Sequence, residues 1–164
     1  MNSKHSIAWV TGVLCLFAAC DSRAAYGAPP SDPCSLLTPA QVSAVLGVQV
    51  GPGKRLATTL CDWRAAAQPG MKAKSVMITL LNAGGFAATK TQLNVQGITK
   101  VPVSGIGDEA VYGTTSGLGS TLSVKKGDFY FVVHVNGFPF DKAKGADETE
   151  AKEKTLAQQI LSKL

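Results

Sequence analysis

The chain predicts an α+β fold, with an antiparallel sheet of five to six strands and about three helices packed on one face. Three observations lead to it. A capped helix signal opens the folded part, a run of extended segments broken by turns fills the second half, and an amphipathic helix closes the chain.

The first helix is marked by Thr38-Pro39-Ala40-Gln41, an N-cap threonine with proline at the first helical position and Gln41 at the third. Leu37 and Val42 stand where a hydrophobic staple sits, Val42, Val45 and Leu46 share a face, and Gly47 offers a left-handed stop. After the Gly51-Pro52-Gly53 turn, residues 58–64 read as a strand, with Leu60, Asp62 and Arg64 on one face and Cys61 and Trp63 on the other. Residues 66–72 hold Pro69-Gly70 and read as a hairpin loop. Residues 74–82 are apolar on both faces, which predicts a central strand, and Gly84-Gly85 ends it. A short helix over 86–94 would bury Phe86, Ala87 and Leu93.

Four extended segments follow, at 98–103, 110–114, 121–125 and 129–136, the last with Phe129, Phe131, Val133 and Val135 on one face. Residues 116–120 read as a flexible hairpin tip, Lys126-Gly127-Asp128 as a tight turn, and 137–145 as a loop. The closing helix is expected from about Asp147, with acids in its first turn, Lys163 in its last, and a stripe of Leu156, Ala157, Ile160, Leu161 and Leu164.

The segment before Cys34 gives an address. Lys4 and His5 precede an uncharged apolar run over 7–19, too short for the ~20 residues of a membrane-spanning helix but suited to an export signal. Ala18-Ala19-Cys20, with Phe17 in place of the usual leucine, resembles the lipobox of bacterial lipoproteins, in which the signal is cut before a cysteine that carries lipid. Asp21 then resembles the inner-membrane retention signal of Gram-negative lipoproteins. The alternative is an ordinary secretory signal cut near Ala24-Ala25 or Tyr26-Gly27-Ala28, releasing a soluble protein. The organisation is a signal peptide over 1–19, a lipidated N-terminus and proline-rich linker over 20–33, and one globular domain over 34–164.

Of the four cysteines, Cys15 leaves with the signal and Cys20 is lipidated or removed. Cys34 and Cys61 remain, an even pair in a compartment where disulfides persist, and a Cys34–Cys61 bridge is expected.

Charge narrows the partners. Lys and Arg total 16 against 11 Asp and Glu, a formal +5, but the charges are dispersed and aromatics are not interleaved with them. A nucleic-acid surface is therefore not expected. Anionic lipid or cell-wall polymer would feel a mild, unspecific attraction.

Taken in order, Asp32-Pro33-Cys34-Ser35-Leu36-Leu37-Thr38-Pro39, Cys61-x-Trp63, Gly105-Ile106-Gly107-Asp108-Glu109-Ala110 and a Lys-Gly-Asp turn before a strand resemble a family of small exported bacterial lipoproteins, most familiar from actinobacteria. The resemblance spans most of the mature chain. It implies the α+β fold and the same cysteine pairing, and it brings no catalytic residues, because that family has no agreed activity.

The residues themselves carry little chemistry. Outside the signal the sole histidine is His134, read as a half-exposed strand residue opposite Phe131 and Val133. There is no Gly-x-Ser-x-Gly elbow and no zinc or calcium ligand spacing, and a disulfide would remove the thiol a cysteine enzyme needs. Gly105-x-Gly107-x-x-Ala110 matches a relaxed dinucleotide fingerprint, but a strand follows where a helix is required, so no cofactor is expected. Asp108 is read as bonding turn amides, with Glu109 facing the other way. Phe138-Pro139-Phe140 is either an exposed contact point or a pair of rings packed on the last helix.

The expected function is that of a non-enzymatic, membrane-tethered envelope lipoprotein that binds an envelope protein or a cell-wall or lipid ligand. Its candidate contact loops carry Gly105, Gly107, Asp108, Glu109, Phe138 and Phe140. The alternative is a secreted inhibitor of a lysozyme-type hydrolase.

Overall fold

A computed structural model describes residues 30–70, 72–91, 98–115, 119–138 and 145–164. The predicted signal peptide, Cys20, most of the linker, residues 116–118 and Phe140 lie outside the described residues.

The described strands are β1 (Lys54–Ala57), β2 (Leu60–Arg64), β3 (Ser75–Asn82), β4 (Ile98–Val103), β5 (Glu109–Thr115), β6 (Gly119–Lys126) and β7 (Phe129–Asn136). The helices are α1 (Pro39–Leu46), α2 (Phe86–Thr91) and α3 (Gly145–Leu161), with single 3-10 turns at Pro33–Ser35 and Ala83–Gly85. All seven strands form one sheet in the order β1-β2-β3-β7-β6-β5-β4, and each neighbouring pair is antiparallel. The chain is thus two meanders joined by one crossover, which carries it from β3 through α2 to the far edge at β4.

The strand count exceeds the expected five to six by β1. Lys54-Arg55-Leu56-Ala57 is exposed along its whole length and shifts register between Arg55 and Ala57. An edge strand with neither face buried has no reason to alternate, so periodicity does not mark it. β3, apolar on both faces, is internal between β2 and β7 as expected.

The helices do not share a single face. Val42 and Leu46 of α1 and Leu156, Ala157 and Ile160 of α3 belong to the main core, with Phe131, Val133 and Val135 of β7 and Cys61 and Trp63 of β2. Phe86 of α2 instead belongs to a second cluster with Val111 and Tyr130, side chains of the opposite sheet face. Its ring meets Tyr130 edge to face at 5.6 Å between centroids. β7 presents large apolar groups on alternate residues in both directions, so both faces of the sheet need cover, and α2 supplies it on the second.

The local signals of α1 are realised. Thr38 Oγ1 accepts from the Gln41 amide at 3.2 Å, Gln41 Oε1 accepts from the Thr38 amide at 2.9 Å, and Gly47 closes the helix at φ 66°. α3 begins at Gly145, slightly before the expected Asp147. Lys163, just past its end, donates to the Leu36 carbonyl at 3.0 Å and pins the chain terminus to the start of α1.

One member of the α3 stripe is not apolar. Glu153 lies three residues before Leu156 and seven before Ile160 and is fully buried. The pairing of β6 with β7 runs from Lys126↔Phe129 to Leu122↔Val133. Beyond it the Glu153 carboxylate accepts from the Val135 amide at 3.2 Å and the Ser120 hydroxyl at 3.0 Å, so it does the work of missing ladder bonds. Burial pushes its carboxyl up to about 8, against the pull of those two hydrogen bonds.

Candidate functional site

The disulfide holds the entry to the fold. Cys34 in the Pro33–Ser35 turn and Cys61 in β2 are joined, with their Cα atoms 5.2 Å apart. Asp32 caps the turn by accepting from the Cys34 amide at 2.9 Å and pairs with Arg55 at 2.6 Å. That amide, first, and Arg55 hold its carboxyl below the usual carboxylate value. Cys61 and Trp63 point into the core, where both are fully buried.

The Gly105–Ala110 segment proves to be stitched into the fold. Ile106 is buried as a plug in the main core. Gly107 has φ 59°, and a Cβ there would stand 2.5 Å from the Lys125 carbonyl oxygen, so only glycine allows this approach. Asp108 accepts from the Gly127 amide at 2.7 Å and from Lys126 Nζ at 3.1 Å. It therefore ties the β4–β5 loop to the β6–β7 turn, not to its own turn. Those contacts, led by the Gly127 amide, hold its carboxyl below the usual range. Glu109 pairs with Lys90 of α2 and, at 3.6 Å, with Lys125. β5 continues directly from Glu109, so no helix opens where a dinucleotide site needs one.

Replacing Asp108 with alanine is expected to cost about 1 kcal/mol at pH 7, the usual worth of a hydrogen bond to an accessible backbone amide. Because the folded carboxyl titrates below its ordinary 3.8, this contribution is present above that value and fades as pH falls through the lower, folded one. Melting curves at pH 7 and pH 2.5 check it, and the gap between the two proteins should be narrower in acid.

A cleft of about 580 Å³ opens where the end of α1, the β2–β3 loop and the exit of β7 meet. Ala65, Ala66, Ala73 and Gly137 line it, and their small side chains leave the space unfilled. Val48 and Phe138 add apolar surface, and Gln68, Lys72 and Lys74 add polar groups. The Phe138 ring is half-buried, with Lys74 Nζ 4.6 Å and Lys152 Nζ of α3 4.9 Å from its centre. The same ammonium groups donate to the last carbonyls of α1, Lys74 to Leu46 at 3.4 Å and Lys152 to Val45 at 3.1 Å. Two lysines thus neutralise a helix C-terminus and bracket an aromatic ring together. Exposed Lys72 has no hydrogen bond or ion pair with any described residue.

Of the expected contact residues, Phe138 lines this cleft, Gly107, Asp108 and Glu109 are engaged within the chain, Gly105 is exposed, and Phe140 lies outside the described residues. His134 is a half-buried strand residue whose Nε2 lies 2.6 Å from Asn136 Oδ1. The cleft itself escaped sequence reading. Its only signal is the run of three alanines before Gln68, with Lys72-Ala73-Lys74 after the turn, which reads as loop and nothing more.

No protein-family model, no curated protein and no solved structure matches the chain. Among the described residues no group of three or more His, Cys, Asp or Glu has metal-binding proximity, and no helix is long and apolar enough to cross a membrane.

Proposed function

We propose that the protein is an exported envelope lipoprotein, tethered through lipid on Cys20, whose folded domain acts by binding and not by catalysis. The observation that carries the binding reading is the cleft at Phe138. It is concave, of a volume usual for small-molecule sites, and offers apolar surface with a few convergent polar groups. Lys72 and Lys74 are the titratable groups among its described lining residues, so it provides charge and shape without an acid–base pair.

The address rests on the uncharged run before Cys20 and is supported by the Cys34–Cys61 bridge, since such bonds persist in oxidising compartments. Membrane attachment is by lipid in this reading, and the linker over 20–33 sets the reach of the domain from the surface. Fractionating cells that express the wild type or Cys20→Ala tests the tether. The wild type is expected with the membranes and the variant in the soluble fraction. Equal membrane-bound shares of the two would remove the lipid anchor from the account.

A further inference from the structure

Resting on the binding reading above, we infer that the cleft takes a small amphipathic organic anion, with its apolar body on the alanine and Phe138 surfaces and its charged head at Lys72. Three observations support this class.

The first is shape and surface. About 580 Å³ lined by Val48, Ala65, Ala73 and Phe138 suits the rings or short chain of a small molecule, and burying such a body away from water is favourable.

The second is charge. The described lining residues include two lysines and no acid, and Lys152 adds a third ammonium beside Phe138. Lys152 itself pairs with Glu148 at 3.3 Å. Among the described lining residues a cation meets only like charge, while an anion is drawn in.

The third observation separates the lysines by role. Lys74 and Lys152 are engaged with α1 carbonyls and the Phe138 ring, so they set the field and the wall. Lys72 is exposed, lines the same space and is unengaged by described residues, so its ammonium is available to a carboxylate or sulfonate. Occupation needs no rearrangement of the packed lysines.

The probe is 8-anilinonaphthalene-1-sulfonate, followed by fluorescence titration at pH 7, beside its uncharged relative N-phenyl-1-naphthylamine. The wild type is expected to bind the sulfonate one to one and at least tenfold more tightly than the neutral amine. Lys72→Glu should weaken the sulfonate at least tenfold and leave the amine within twofold, and Lys72→Arg should retain the sulfonate. Ala66→Trp, at an exposed lining position, should weaken both dyes and so locate them. Lys72 and Ala66 are exposed, and the variants are expected to melt with the wild type. If Lys72→Glu leaves the sulfonate unchanged while Ala66→Trp weakens both dyes, the anion preference falls and the cleft stays a binding site. If neither dye binds, or Ala66→Trp affects neither, the assignment of a small-molecule ligand to this cleft is overturned, whereas the lipid tether is judged separately by the Cys20→Ala fractionation.

Discussion

Glu153→Gln is expected to make the protein more stable at pH 8 while leaving it nearly unchanged at pH 4. In the fold the Glu153 carboxyl titrates at about 8, well above its ordinary 4.5, because burial opposes the charged form more strongly than Val135 and Ser120 support it. Below about 4.5 the group is protonated whether the chain is folded or not, and its contribution is present in full. Between 4.5 and 8 the unfolded chain releases the proton while the fold retains it, so stability falls as pH rises, and the loss is complete once pH passes about 8. At about 1.4 kcal/mol per pH unit over that window, the contribution lost is on the order of 5 kcal/mol. Glutamine keeps an oxygen for the Val135 amide and a donor for Ser120 and has nothing to titrate. Denaturant titrations of both proteins from pH 4 to pH 9 measure the divergence. Parallel profiles would show that the buried carboxyl keeps an ordinary pKa in the fold.

Loss of the Cys34–Cys61 bridge is the second large effect. The cysteines are 27 residues apart, and closing a loop of that size is worth about 3.5 kcal/mol in the chain-entropy treatment. Replacing both with alanine is expected to lower the melting temperature by roughly 10–15 °C for a domain of this size. The loss acts where the chain enters the fold, because the bridge ties the Pro33–Ser35 turn to β2 and the Asp32–Arg55 pair is half-exposed and weak alone. Reductant should move the wild type to the same melting temperature and leave the alanine variant in place. A shift of a degree or less would mean that core packing alone holds the turn.

These effects mark where sequence and structure part company. Elements whose signal is local and covalent in origin were legible: the Thr38–Gln41 capping box, Gly47, the alternation in β7, and the Cys34–Cys61 pair. Each depends on residues a few positions apart or on a count. Features that depend on distant partners were not. β1 has no buried face, so nothing in Lys54-Arg55-Leu56-Ala57 reports its pairing with β2. The side of the sheet that α2 takes is decided by Tyr130 and Val111, far along the chain from Phe86. Glu153 sits at the right spacing for the α3 stripe, yet as a charged residue it reads as solvated until Val135 and Ser120 are seen beside it. Asp108 reads as bonding its own turn, and the amide it holds lies 19 residues on, at Gly127. The cleft follows the same pattern, being made by small side chains from three separate segments.

The motifs behind the lipoprotein resemblance have physical roles in this fold. Asp32 and Thr38 cap, Pro39 starts α1, Leu36 and Leu37 are core, Cys34 and Cys61 bridge, Trp63 fills the centre, and Gly107 and Asp108 staple two loops. A pattern built from such roles specifies a scaffold, and the cleft residues Ala66, Lys72 and Phe138 lie outside it.

The decisive measurement is the intact mass of the protein recovered from its own cells, taken before and after reduction. The account predicts a chain that starts at Cys20, carries the added mass of lipid, and gains two hydrogens on reduction as Cys34 and Cys61 separate. A mass matching the unprocessed chain from Met1, unmoved by reductant, would contradict export, anchor and bridge at once.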